Sequence, residues 1–281
     1  MSLVHREVFE RLEHFYDSVP RDVAHVEEYG GLVLFVRNGA GWPFYARPRP
    51  GAAEPPNAAD VTAVRERQRA LGIPEAFEWV HENHPDLLPV ARSAGLAVLE
   101  APLMVLDPDA LPSAETLSDV PVRLADPGSP EFGRDVATQR AVAAIGFAAP
   151  GTALGDAGPV ARDAAVVALT PRRVDEERAQ AEIGRRAFAL AETADEGALA
   201  GGMAMRVDDV AEIAGIATLP VARRRGLAAA VTAALARHLL DSGTGLVFLS
   251  AGSEEIARVY LRAGFRRLGT ACIAEPAPVT A

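Results

Sequence analysis

A chain of 281 residues, 49% of them apolar, can bury one large or two modest cores, yet no uninterrupted apolar run is long enough to span a bilayer. Its basic side chains are all arginine, 28 against 38 acids for a net charge of -10, which argues against nucleic acid or an anionic membrane as the main partner. The single cysteine, Cys272, excludes an internal disulfide and a thiolate metal cluster, and the N-terminus lacks a signal peptide's apolar stretch, so a cytoplasmic location is expected.

Residues 3–16 carry Leu3, Val4, Val8, Phe9, Leu12, Phe15 and Tyr16 at helical spacing, closed by Val19-Pro20, which predicts an amphipathic opening helix. Three short strands follow at 23–28, 31–37 and 42–46, divided by Gly30-Gly31 and Asn38-Gly39-Ala40-Gly41. Residues 47–59 read as a Pro- and Gly-rich loop and 60–71 as a helix ended by Gly72-Ile73-Pro74. A short apolar segment at 76–80, a helix over 85–93, Gly95-Leu96 and a strand pair across 97–106 complete the first half. His81 and His84 lie three apart beside Pro85 with no third ligand, so that motif reads as a surface turn and no metal is expected.

The polar, turn-rich stretch 107–121 reads as a linker, which places two domains at 1–118 and 119–281. After it come a strand at 122–125, a helix at 130–145, and a loop at 147–158 with four glycines or prolines. Residues 160–169 are apolar without a clear period, and 171–183 are charged and helical. Strands at 187–192, 198–207 and 210–219 are divided by Asp195-Glu196-Gly197 and Asp208-Asp209, which are antiparallel hairpin spacings.

The stretch 211–230 organises the second half. An apolar strand ends at Leu219-Pro220, and beyond Gly226 the residues Leu227, Val231, Ala234, Leu235, Leu239 and Leu240 recur at helical spacing as far as Asp241-Ser242-Gly243. Arg223-Arg224-Arg225-Gly226-Leu227-Ala228 thus lies where a strand hands over to a helix start, whose unpaired N–H groups and dipole favour an anion. By spacing alone, a solvated helix start fits the arginines equally well. A strand at 246–250, a helix at 253–263 and a strand at 266–274 follow.

Strand, Leu-Pro, Arg-x-x-Gly-x-Ala and an alanine-rich helix together resemble the acetyl-CoA-binding motif of the GNAT superfamily of N-acetyltransferases. Ser253 to Gly264-Phe265, with Tyr260 four residues before the glycine, resembles a second GNAT segment. The resemblance implies an α+β fold of two GNAT-like domains, each a mixed, mostly antiparallel sheet flanked by helices, with two central strands splayed around acetyl-CoA. It implies that backbone at Ile216, Ala217 and Thr218 pairs with pantetheine, and that Arg223, Arg224, Arg225, Gly226, Leu227, Ala228 and Ala229 form the pyrophosphate loop. It further implies that Ser253 contacts pantetheine, that Tyr260 protonates the departing thiolate, and that Glu212 helps deprotonate an amine. A lone tyrosine as packing and a solvent-facing glutamate are the alternatives. Ser253 and Ala228 depart from the commoner asparagine and glycine.

Helix, short strand, helix, Gly-hydrophobe and strand occur twice, over 60–106 and 226–274. Ala91 then stands at the place of Tyr260, and no Arg-x-x-Gly-x-Ala appears in the first half, so the first copy is expected to be degenerate and non-catalytic. The expected function is transfer of an acetyl group from acetyl-CoA, as co-substrate, to a small-molecule or peptide amine, by direct attack without an acyl-enzyme. The rival is a GNAT-shaped module that holds CoA or a metabolite for regulation without turnover. Monomer and homodimer both stay open.

Overall fold

The computed structural model of the chain describes residues 3–39 and 43–277. In chain order the elements are α1 Leu3–Arg21, β1 Ala24–Tyr29, β2 Leu32–Arg37, β3 Arg47–Pro48, α2 Ala58–Leu71, β4 Phe77–Val80, α3 Leu87–Ser93 and β5 Leu96–Leu106. Then come α4 Ala114–Leu117, β6 Val122–Leu124, α5 Phe132–Ala148, α6 Pro159–Ala165, α7 Pro171–Glu182, β7 Arg186–Thr193, β8 Gly197–Val207 and β9 Val210–Thr218. The last are α8 Leu227–Asp241, β10 Leu246–Ser250, α9 Glu254–Leu261 and β11 Phe265–Pro276. None of the described helices is long and apolar enough to cross a membrane, and no cluster of metal-ligating side chains is found among the described residues.

These elements form two compact units. One joins Met1–Leu103 to Leu268–Ala281, and the other is Met104–Arg267. The chain changes unit inside β5 and again inside β11, whereas the sequence reading cuts it once, at 118/119. A single cut follows composition. Which sheet a strand joins is decided by its long-range partners, and composition does not record them.

In the first unit β1 pairs antiparallel with β2, and β2 with β3. The apolar run Leu32-Val33-Leu34-Phe35 is continuous because β2 is buried on both faces: Leu32 and Leu34 join one cluster with Val61, Phe77 and Trp79, while Val33 and Phe35 join another with Ala24. β11 lies antiparallel to β4 with Cys272 opposite Trp79. Cys272 is fully buried, and burial pushes its thiol up to about 12, so it fills the strand without reactivity. The third expected strand, 42–46, begins outside the described residues. In the part that is described, Ala46 bridges parallel to Phe77, and the pairing with β2 falls on Arg47–Pro48.

The second unit runs β10, β9, β8, β7, β6 across its sheet, antiparallel except for β10 on β9. α8 buries Leu227, Val231, Leu235 and Leu239, the stripe its spacing calls for. Arg123 on β6 grips Asp135 on α5 through two bonds of 2.6 and 2.7 Å, and also bonds Glu192 on β7. That bidentate pair fixes α5, whose later residues reach the site described below. The stretch 160–169 divides into α6, opened by Pro159 and ending at Ala165, and irregular chain over 166–169, with buried Arg162 donating to the carbonyl oxygens of Glu196 and Ala198.

Two sequence expectations are corrected. The strand pair across 97–106 is one continuous strand of 11 residues, Leu96–Leu106, that runs through Pro102, whose ring removes only its own N–H from the ladder. The stretch 107–121 is not a free linker. It holds a turn of 3-10 helix at Pro108–Ala110 and the short α4, and it buries Leu111 and Val120 in the core that α8 completes. Its backbone lies against two glycines: a Cβ on Gly226 would come within 1.9 Å of the Leu117 carbonyl oxygen, and one on Gly264 within 2.7 Å of the Ala110 carbonyl oxygen. The Asp107 N–H also donates to the Gly264 carbonyl oxygen at 3.0 Å.

The repeated order is present: α2-β4-α3-β5 and α8-β10-α9-β11, with Gly95 at φ +80° and Gly264 at φ +86° before the long strands. Gly264→Ala should lower folding stability by roughly 2–4 kcal/mol, through the left-handed φ and the collision with Ala110 together. Denaturant melts of the two proteins measure this, and equal midpoints would mean that the 107–121 backbone yields.

Candidate active site

The site begins where two parallel strands part. β10 pairs with β9 only at Leu246↔Val210, Val247↔Ala211 and Phe248↔Glu212, although both strands continue. Beyond that point lies a cavity of about 840 Å³, lined by β9 from Ile213 to Thr218, by Ser250, by the start of α8 and by α9. Every lining residue belongs to the second unit.

β9 is bulged at the same place. Against β8, Gly201 faces Ala217 and Met203 faces Ala214, so Gly202 alone opposes Gly215 and Ile216. Gly215 takes φ +63°, and a Cβ on Gly202 would meet Ile216 at 2.1 Å. The bulge takes backbone out of the ladder, and buried Gln139 of α5 donates to the freed Gly215 carbonyl oxygen at 3.3 Å. The Gly201-Gly202 pair inside a strand was the available sequence signal for this bulge.

At one end of the cavity stands the first turn of α8. Its N-cap is Gly226 at φ +79°, no side chain caps it, and Leu227, Ala228 and Ala229 line the cavity, so the helix start keeps donors for an anion. Arg224 also sits in the left-handed region, at φ +64°, and lines the cavity. Arg223 does different work. Its guanidinium donates to the carbonyl oxygens of Gly146, Ala149 and Ala153 at 2.9, 2.5 and 3.0 Å, tying the end of α5 and the following loop to the start of α8. Arg225 is exposed and outside the lining.

Tyr260 of α9 lines the cavity and is 7% exposed, and burial pushes its hydroxyl up to about 12, so the group holds its proton at neutral pH. Ile216, Ala217 and Thr218 are in the lining. Ser253 is not. Its hydroxyl accepts from the Ile256 N–H at 3.2 Å as the N-cap of α9, a local duty for which serine is well suited. Glu212 is also outside the lining, at the last paired residue of the fork. The one carboxylate among the described lining residues is Glu255, which accepts from the Thr152 hydroxyl and so joins α9 to the loop after α5.

The helix that opens the first repeat is built differently. Asn57 accepts from the Ala59 and Asp60 N–H groups, and Asp60 accepts from the Asn57 N–H, so α2 has a closed capping box with a carboxylate in its first turn. Ala91, at the place of Tyr260, is buried in the first unit's core.

Residues 190–273 match the family model for FR47-like proteins. The whole chain shares its fold with a GCN5-related N-acetyltransferase from Kribbella flavida, at 22% identity and a TM-score of 0.64 over 100% of this chain and 98% of that one. It is also similar to a GCN5-related N-acetyltransferase-like protein from Streptococcus suis, at 12% identity and a TM-score of 0.53 over 96% and 98%. A third is a functionally unknown conserved protein from Staphylococcus epidermidis, at 14% identity and a TM-score of 0.51 over 91% and 94%. No curated protein sequence matches the chain. The fold the chain shares with these structures is α+β, with mixed, mostly antiparallel pairing flanked by helices.

Two outcomes follow from the geometry. Gly226→Ala should destabilise the fold itself by roughly 2–4 kcal/mol, because its Cβ meets the Leu117 carbonyl before any ligand does. Gly226→Asp, which adds a Cβ at the same place, therefore does not isolate binding. In an ultraviolet titration, the difference between the native protein and Tyr260→Phe should show one phenol ionising near 12; a step near 10 would mean a solvated ring. The unfolded chain's phenol ionises first, so this group adds to alkaline unfolding between about 10 and 12 and leaves stability unchanged below that window.

Proposed function

We propose, taking the GNAT fold and the FR47-like match over 190–273 as premise, that the chain is an acetyl-CoA-dependent N-acetyltransferase acting on an amine through the second unit. The observation that carries this reading is the cavity between the parted strands, with an uncapped helix start at one end and a buried, protonated tyrosine in its wall. The residues fit such a ligand. An uncapped α8 suits a pyrophosphate, and the bulged backbone of β9 suits the amides of a pantetheine arm.

When bound, acetyl-CoA supplies the acetyl group as a thioester. The N–H groups of Leu227, Ala228 and Ala229 would hold the pyrophosphate, with Arg224 beside them. Backbone at Ile216, Ala217 and Thr218 would align the pantetheine arm as an added strand aligns on a sheet edge. Tyr260 would give its proton to the departing sulfur, which its retained proton permits. Glu212 would accept the amine's proton through water, since it stands outside the lining. No cysteine lies near this path, which agrees with direct attack by the amine instead of an acyl-enzyme. In the first unit, the closed capping box at α2 and the alanine at the tyrosine's place support a non-catalytic copy.

Tyr260→Phe should lower kcat on the order of ten- to ten-thousand-fold with CoA affinity nearly kept, measured as free-thiol release over a panel of amines and as calorimetric binding. Ala228→Asp should do the reverse. A carboxylate in the first turn of α8 suits the helix and spares its melting temperature, yet it repels a phosphate, so CoA binding should be lost. Unchanged affinity in that variant would remove α8 from the site.

A further inference from the structure

The cavity carries more positive charge than its backbone donors require. Of the four arginines that line it, Arg223 is held by three carbonyl oxygens, which leaves three: Arg224 beside the start of α8, Arg258 on α9 and Arg262 just past its end. All three are exposed and make no hydrogen bond or ion pair to any described residue. This is unusual in a chain with an excess of acids, where most other arginines of the second unit bond a carboxylate or a carbonyl.

The placement on α9 separates them from the chemistry. Arg258 and Arg262 are four residues apart and share a face, where like charges repel, and each is two residues from Tyr260, about 200° around the helix. Tyr260 is buried while the two arginines are exposed, so they stand on the outer lip of the cavity and not at its inner wall. The acids of α9 form no ion pair with them: Glu254 pairs with Arg267 at 2.5 Å, and Glu255, which keeps its charge, accepts from the neutral Thr152 hydroxyl. Two guanidiniums without an ion-pair partner on an exposed lip suit a phosphate monoester, which offers two charges and several acceptor oxygens.

We infer that Arg258 and Arg262 bind the 3′-phosphate of CoA and make the site selective for CoA over ligands that lack this group. The inference rests on the proposed function, because it deepens the same site. An acidic acceptor is the competing occupant. It would have to present its amine near Tyr260, on the far side of the helix from these two groups, whereas the adenosine end of CoA, beyond a pyrophosphate held at the start of α8, would lie toward the exposed lip.

The test compares CoA with 3′-dephospho-CoA by calorimetry, on the full chain and on the double variant Arg258→Gln/Arg262→Gln. The native protein should prefer CoA on the order of ten- to a hundred-fold. The double variant should lose that preference while binding 3′-dephospho-CoA as the native protein does, and exposed glutamines should leave its melting temperature unchanged. Equal affinity of the native protein for both ligands overturns the inference and leaves the proposed function standing. A preference that survives in the double variant, or a variant that weakens both ligands alike, also overturns it and assigns the arginines to another anion. If neither ligand binds the native protein, the proposed function falls as well.

Discussion

Everything in the second unit turns on the short pairing between β9 and β10. Three residue pairs hold the two parallel strands together, and then each continues without the other. A parallel pair that parts inside a protein must leave backbone polar groups to be satisfied by something, and here the bulge at Gly215 adds to that number. α5 answers part of the demand through Gln139, and the rest faces a cavity. The open fork also lets the start of α8 and the inner side of α9 face one space.

A second constraint keeps this fork in shape from outside. The segment 107–121 runs its backbone against Gly226 and Gly264, one beside the start of α8 and one at the end of α9. Both glycines take left-handed φ, and neither position has room for a Cβ. The motif glycine Gly226 is therefore needed twice, for the turn into α8 and for contact with Leu117, and its role cannot be assigned to ligand approach alone. Arg223 works in the same structural sense. A side chain that looks like a phosphate ligand in the motif instead satisfies three carbonyls at and beyond the end of α5, where a helix leaves such acceptors exposed.

The two repeats illustrate how little separates a helix start that can take an anion from one that cannot. α2 has Asn57 and Asp60, whose side chains satisfy the first-turn donors and place a negative charge among them. α8 has Gly226 and no side-chain cap. Against a glycine cap such as Gly226, a cap of that type stabilises a helix by only about a few tenths of a kcal/mol. Leaving it out of α8 costs little stability and keeps the donors available.

Period and punctuation in the sequence determined most of the order of elements, the position of Tyr260 on α9 and the apolar stripe of α8, because helical and strand spacing are local properties of the chain. Tertiary structure decided what depends on partners distant in sequence. β11 joins a sheet with β4, which no composition shift announces, and residues 107–121 become part of a core although their polarity reads as a linker. Ser253 and Arg223 fit a ligand-binding motif by type and spacing, yet their polar atoms are spent on a helix cap and on three carbonyls. Glu212 falls at the last paired residue of the fork, outside the lining, since the point where two strands part depends on pairing and packing with distant elements as well as on the bulge at Gly215.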